Sequence, residues 1–408
     1  MLYRKNQKNG DDLSQLGFGC MRFPRKKMGG IDIPHSADIV KSAIENGVNY
    51  FDTAYIYPGS EAALGQILSE SGLREKVYIA TKMPLFLTRS DKDFDKFFST
   101  QLGHLKTNYI DYYLLHMLTD FEHFEITRRL GIEDWIKKEK QSGRIKNIGF
   151  SFHGRYDSFV KIIDSYDWDF CMIQYNYLDE YHQAGTTGLE YAYSKNIPVI
   201  IMEPLRGGIL ANGLPDKAKH ALQTENKDRA PADWALRWLW NHPELTVVLS
   251  GMSTELQTEQ NIKTACESVV GGMNEKELSA VKKVVGIMQE QIRVNCTKCG
   301  YCMPCPAGVD IPEAFSSYNE GVILKRIKTI KHYVMSSGLL AEKPGFASQC
   351  VKCGKCEKHC PQGIKIIDTL AQASKYLEPF WAKPIIKAAR RFIVSGRKKS
   401  LKKKSYNN

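Results

Sequence analysis

Eight short apolar runs, rich in β-branched and aromatic residues, recur along residues 16–251 with helix-forming stretches between them. They are LGFG (16–19), VNYFD (48–52), VYIATK (77–82), DYYLLH (111–116), NIGFS (147–151), CMIQY (171–175), PVIIME (198–203) and TVVLSG (246–251). Several are apolar at nearly every position, the pattern of parallel strands buried on both faces. Between them, SADIVKSAIENG (36–47) and APADWALRWLWNH (230–242) have the spacing of amphipathic helices. Ser36 is the expected N-cap of the first, and Gly47 sits where a C-cap glycine belongs. Eight strands alternating with helices over about 250 residues predict an α/β fold, a (β/α)8 TIM barrel. A doubly wound open sheet competes with it, but such a sheet usually carries a GxGxxG turn after its first strand, and none follows LGFG.

A chain of 408 residues is too long for that one core and predicts two domains. NEKELSAVKKVVGIMQEQI (274–292) reads as the helix that ends the barrel. The expected organisation is a barrel over 1–290, a small, mainly α-helical domain over 291–375 and a basic tail over 376–408. A hydrophobic fraction of 43% and a charged fraction of 25% suit a globular protein. No segment reaches the roughly 20 apolar residues that cross a bilayer. MLYRKNQKNGDDLSQ lacks the apolar core of a secretory signal, so a cytoplasmic location is expected.

The formal net charge of +12 is unevenly spread: the last 30 residues hold ten Lys or Arg and no acidic residue. Without them the chain is nearly neutral, so nucleic-acid binding does not follow from the charge. The tail, AKPIIKAARRFIVSGRKKSLKKKSYNN, could lie on an anionic membrane or an acidic partner as an amphipathic helix. A solvated terminus is the preferred reading.

Active sites of such barrels lie at the C-terminal ends of the strands. Polar residues collect there: Asp52, Lys82, His116, Ser151, Gln174 and Glu203 on six successive strands. A lone Lys or His is more often structural, but six in succession form a pattern. GVNYFDTAYIYPGSEAALGQIL (47–68), VYIATK, DYYLLH, GRIKNIGFS (143–151), IQYNYL (173–178) and GMSTELQTEQNI (251–262) resemble the signature segments of the aldo-keto reductase family. The resemblance covers roughly residues 15 to 270 and implies nicotinamide-dependent, reversible reduction of aldehydes or ketones. It implies a catalytic tetrad of Asp52, Tyr57, Lys82 and His116. Spacing alone does not choose between Tyr57 and Tyr55; the family motif selects Tyr57.

The chemistry explains those residue types. Hydride delivery to a carbonyl carbon leaves negative charge on oxygen, which needs a proton donor. Free tyrosine, with a pKa near 10, serves poorly unless shifted. Lys82 is expected to favour the phenolate and lower that value, Asp52 to keep Lys82 charged, and His116 to orient the carbonyl. For the cofactor, NADP or NAD, the resemblance implies Gly19, Met21 and Arg22 near the nicotinamide, with Ser151 and Gln174 on its carboxamide. It implies Leu205, Gly207 and Gly208 at the pyrophosphate, and Gly251, Met252, Ser253, Gln257 and Asn261 at the adenosine end. Three departures stand out. Phe152 and His153 follow Ser151, where many members have Asn; Met202 stands where an aromatic residue often stacks on the nicotinamide; and GMSTELQ lacks the usual Lys or Arg for an NADP 2′-phosphate.

Eight of the eleven cysteines form two runs, CTKCGYCMPCP (Cys296, Cys299, Cys302, Cys305) and CVKCGKCEKHCP (Cys350, Cys353, Cys356, Cys360). The second has the C-x2-C-x2-C-x3-C-P spacing of bacterial [4Fe–4S] ferredoxins, and the first is one residue shorter before its last cysteine. Zinc is the lesser reading. In two-cluster ferredoxins the last cysteine of each run serves the other cluster. That rule assigns Cys296, Cys299, Cys302 and Cys360 to one [4Fe–4S] cluster and Cys350, Cys353, Cys356 and Cys305 to a second. The long, helix-forming spacer between the runs suggests an α-helical two-cluster ferredoxin-like domain. Cys20, Cys171 and Cys266 read as core thiols.

The favoured function is an enzyme acting on a small carbonyl or alcohol substrate. The alternative is an electron-transfer component that docks a redox partner, with the barrel binding a cofactor or acting as a sensor. Hydride carries two electrons and a cubane cluster accepts one, so a link between barrel and clusters requires a flavoprotein or other redox partner.

Overall fold

The computed structural model describes residues 1–26, 29–290, 293, 294, 296, 302–323, 325–339, 344–360, 364–382 and 384. It resolves into two compact units, one built from residues 1–212 and 216–285 and the other beginning at Gly286.

In the first unit eight parallel strands close into a barrel. They are β1 (Leu16–Gly19), β2 (Tyr50–Asp52), β3 (Tyr78–Met83), β4 (Ile110–Leu118), β5 (Ile145–Phe152), β6 (Phe170–Gln174), β7 (Val199–Met202) and β8 (Leu245–Ser250). Each lies on one of the eight apolar runs. β8 pairs with β1 through Val248↔Leu16 and Ser250↔Phe18, which closes the ring. Tyr50, Ala80, Tyr112, Leu114, Phe170, Met172, Ile200, Val247 and Leu249, from six strands, form one buried cluster inside it.

A short antiparallel hairpin, Tyr3–Lys5 with Asp12–Ser14, precedes β1. Its Leu13 joins the interior cluster. Arg4 donates to the carbonyls of Trp240, His242 and Leu245, and the Asn49 side chain accepts from the Ser14 amide. The hairpin is thereby fastened to segments that lead into β2 and β8, at the end opposite the strand-end polar residues.

The first helix spans Ile33–Glu45, and its N-cap is Asp32, whose side chain accepts from the His35 amide. Ser36, the expected cap, lies inside the first turn and donates to the Asp32 carbonyl. Asp32 wins because Pro34, placed early in the helix, needs no intrahelical partner. Gly47 follows with φ 89°, as expected of a glycine past a helix end. Cys20 and Cys171 are buried thiols, whereas Cys266 is exposed on the outer face of its helix.

The second unit is helical, with Ile311–Ile323, Arg326–Val334 and Ile366–Leu377 packed around Val309, Phe315, Tyr333, Phe346 and Leu370. The tail from residue 385 on lies outside the described residues. Among the described residues no helix is long and apolar enough to cross a membrane.

Helices Ser60–Ser71 and Lys92–Leu105 approach so closely at Gly65 that a Cβ there would stand 2.6 Å from the Leu105 backbone. Gly103, on the second of these helices, has open space around it. Gly65→Ala is therefore expected to lower the stability of the barrel by about 1–3 kcal/mol through overpacking. Gly103→Ala should be neutral or stabilise by up to about 1 kcal/mol. Urea unfolding of the two variants checks this; equal effects would contradict the packing described.

Candidate active site

Asp52 ends β2 and lies opposite Ala80 in the sheet register. Lys82 is two residues further along β3, and because strand side chains alternate, both reach the same face. The Lys82 ammonium, whose side chain is only 2% exposed, donates to Asp52 Oδ1 at 2.6 Å, Asp52 Oδ2 at 2.7 Å and the Thr53 carbonyl at 2.7 Å. Burial disfavours both charges, but the carboxylate and the nearby Tyr57 raise the lysine above its ordinary value. Three short acceptors around one ammonium keep the pair ionised.

Tyr57 brings its ring 5.1 Å from Lys82 Nζ and 6.3 Å, edge-on, from the His116 ring. Tyr55 instead packs its ring on Phe97, so the geometry separates the two tyrosines that spacing did not. Burial pushes the Tyr57 phenol up; Lys82 pulls it down through charge and a hydrogen bond, while Asp52 and Glu203 add to the rise. The net shift is upward, against the lowering expected from Lys82, because burial outweighs the ammonium and Asp52 adds to the rise. His116 is 4% exposed, and burial, then Lys82 and His153, hold it down to about 2. It is a neutral imidazole, and its Nδ1 has no hydrogen-bond partner among the described residues.

A second layer fixes β3 from behind. Buried Glu61 accepts from Thr81 Oγ1 (2.6 Å) and Gln101 Nε2 (2.7 Å). Gln101 also donates to the Lys82 carbonyl and accepts from Tyr113 Oη. The sequence reading passed over Glu61, although it lies within GSEAALG; an acidic residue among alanines and leucines was the available signal. It also left His182 unnoticed. That residue lies within electrostatic range of His153, which burial, Lys82 and His182 hold down to about 4. No residue spacing announces that neighbourhood.

At the end of β5, Ser151 Oγ accepts from the Met117 amide at 2.9 Å, leaving its own hydrogen to donate. Gln174 donates to Asp179 Oδ2 (3.1 Å) and accepts from Gln183 Nε2 (3.0 Å). The buried Gln183 Oε1 has no partner among the described residues. After β7, Arg206, Gly207 and Gly208 turn through φ of 48°, 66° and 95°, and Leu205 precedes them. Gly251 must be small, since a Cβ there would come within 2.9 Å of the Arg22 side chain. Ser253 Oγ donates to the Arg22 carbonyl, and Gln257 Oε1 accepts from the Ser253 amide. Asn261 donates to Ser250 Oγ, and Met252 is buried. Gly19 backs onto Ser250 and Gly251, while Met21 is 55% exposed. The loops after β1, β7 and β8 thus meet at Arg22, whose Nη2 would lie 3.8 Å from a Cβ at Gly207.

In the second unit Cys296, Cys302, Cys305, Cys350, Cys356 and Cys360 all pack against one apolar core. Burial pushes the Cys356 thiol up, and Glu357, Cys350 and Cys305 act in the same direction. Cys305, from the first run, therefore lies within electrostatic range of Cys356 in the second. Cys353 is exposed, and Cys299 lies outside the described residues.

Residues 15–284 match the Aldo/keto reductase family, and residues 295–364 match a 4Fe-4S dicluster domain. The chain is similar to the 9,11-endoperoxide prostaglandin H2 reductase of Trypanosoma cruzi, at 27% identity over 260 residues, 62% of this chain and 83% of that protein. It is similar to the L-galactose dehydrogenase of Arabidopsis thaliana at 26% identity over 302 residues, 68% of this chain and 92% of that protein. A solved aldo-keto reductase from Bacillus halodurans, in its holo form, superposes with a TM-score of 0.57 at 25% identity, over 70% of this chain and 96% of that one.

The buried, neutral state of His116 has a direct consequence. In an NMR titration between pH 8 and pH 4 its ring is expected to stay neutral. A His116 resonance that titrates near the ordinary histidine value of about 6.5 would contradict the environment described.

Proposed function

The chain belongs to the aldo/keto reductase family and is an oxidoreductase with a 4Fe-4S domain at its C-terminal side, and from that premise we propose that its barrel reduces aldehydes or ketones reversibly with NADPH or NADH. The observation that carries this reading is the convergence of Asp52, Tyr57, Lys82 and His116 at one end of the barrel. When bound, the reduced nicotinamide supplies the hydride. The chain supplies the rest. Tyr57, kept protonated by burial, gives its proton to the carbonyl oxygen as negative charge develops there. The phenolate left behind stands beside the Lys82 ammonium, which Asp52 holds in place. His116, neutral, donates one N–H to the same oxygen without adding a charge.

The surroundings suit a dinucleotide. Ser151 keeps a hydrogen to donate, Gly207 and Gly208 make a left-handed turn without side chains in the way, and Arg22 offers a cation between the loops. Gln174, Leu205, Gly251, Met252, Ser253, Gln257 and Asn261 complete the cofactor residues we assign, with Gly19 and Met21 beside the nicotinamide.

For the second unit we propose two [4Fe–4S] clusters, one on Cys296, Cys299, Cys302 and Cys360 and one on Cys350, Cys353, Cys356 and Cys305. The electrostatic influence of Cys305 on Cys356 supports the crossover. A flavoprotein or other one-electron carrier is the proposed partner.

The test is anaerobic oxidation of NADH and NADPH against a panel of aldehydes and ketones, with wild type and Tyr57→Phe carrying equal iron, about eight atoms per chain. Tyr57→Phe is expected to lose about 100- to 10,000-fold in carbonyl reduction. Reduction needs the protonated phenol, and the Tyr57 value is raised, so wild-type activity should persist through neutral pH. It should fall only as pH rises past the ordinary tyrosine value of about 10. A Tyr57→Phe enzyme as active as wild type would overturn the assignment.

A further inference from the structure

The second cysteine run has an outer edge that the hydride chemistry leaves unused. Six described cysteines pack against the core of the unit, but Cys353 does not; it is exposed. Lys352, with φ 56°, and Gly354, with φ 73°, flank it in left-handed conformations, so the backbone turns sharply on both sides of this residue. Val351 beside it is 67% exposed. Lys352, Lys355 and Lys358, spaced three apart between the cysteines, are all exposed, and none makes an ion pair with a described residue. The one carboxylate in the run, Glu357, is engaged elsewhere: its Oε1 accepts from the Ile367 amide at the start of the last helix. The result is one exposed apolar side chain beside three lysines that make no ion pair with a described residue, around an exposed cysteine.

We propose that this edge, built from Val351, Lys352, Cys353, Lys355 and Lys358, is the docking surface for an acidic protein that carries single electrons. The inference rests on the cluster assignment made above and adds to it the place and charge of the partner. Three lysines give the encounter its electrostatic steering, and Val351 gives it a desolvated centre. Among the described cysteines of the two runs Cys353 is the exposed one, so a carrier seated here comes close to the group that run holds. The exchange involves one electron and neither a proton nor a bond: the reduced carrier is oxidised by one electron, and the cluster is reduced by that electron. A lipid surface fits less well, because the patch offers one exposed apolar side chain and no amphipathic helix face to insert.

The experiment uses the full chain with its clusters intact and an acidic flavodoxin as probe. Calorimetry measures its binding to wild type and to Lys352→Glu/Lys355→Glu/Lys358→Glu, at low and high salt. Stopped-flow bleaching of the cluster absorbance by reduced flavodoxin gives the transfer rate. Iron content and carbonyl reduction should be the same in the two proteins, which separates loss of docking from loss of the clusters or of the barrel's activity. The proposal expects the variant to bind and react about tenfold or more weakly at low salt, and wild type to weaken as salt rises. The Lys→Arg triple variant should behave as wild type. Equal binding and equal rates in the glutamate variant would overturn the proposal. So would tighter binding to anionic vesicles than to flavodoxin that disappears in the same variant. An iron-free wild-type chain would overturn the cluster assignment and this inference with it.

Discussion

An ammonium group whose side chain is only 2% exposed must find acceptors inside the protein or leave the core, and Lys82 finds three. Two belong to Asp52 and the third is the Thr53 carbonyl. Removing either partner of such a pair strands a buried charge, at a cost of about 3–5 kcal/mol. The pair therefore ties the end of β2 to the end of β3. Glu61 and Gln101 hold β3 from its other side, through Thr81 and the Lys82 carbonyl. This part of the barrel is specified by polar contacts as much as by apolar packing.

The same pair modulates the electrostatics of its neighbours. Lys82 lowers the Tyr57 phenol less than burial raises it, Asp52 adds to the rise, and the phenol stays protonated. Because the charge is there at all, it helps burial keep His116 and His153 neutral. The proposed reduction then has a proton donor and an uncharged hydrogen-bond donor beside one site. Burial sets both states, and the ion pair modulates them.

The barrel was legible because parallel strands buried on both faces leave continuous apolar runs, and every run from LGFG to TVVLSG carries a strand. Asp52, Lys82 and His116 were legible because strand ends in such a barrel are where polar residues gather. What escaped depends on burial depth or on contacts distant in sequence. Ser36 looked like a cap until Asp32 and Pro34 placed the helix start four residues earlier. Cys266 looked like a core thiol, yet its helix turns it outward. The sign of the Tyr57 shift needs both the desolvation and the charge of Asp52 beside it. That Cys305 and Cys356 pack against one apolar core needs the helical spacer folded back on itself.

The most direct test is single-turnover hydride transfer from nicotinamide deuterated at its reactive carbon, comparing wild type with the charge-neutral pair Asp52→Asn/Lys82→Met. Removing both charges together avoids a stranded ion, so the variant should fold and bind the cofactor with unchanged affinity. The account predicts that its deuteride transfer to the carbonyl carbon falls by about 1,000-fold, as expected for loss of preorganised acid–base and electrostatic groups. Transfer at the wild-type rate would contradict it.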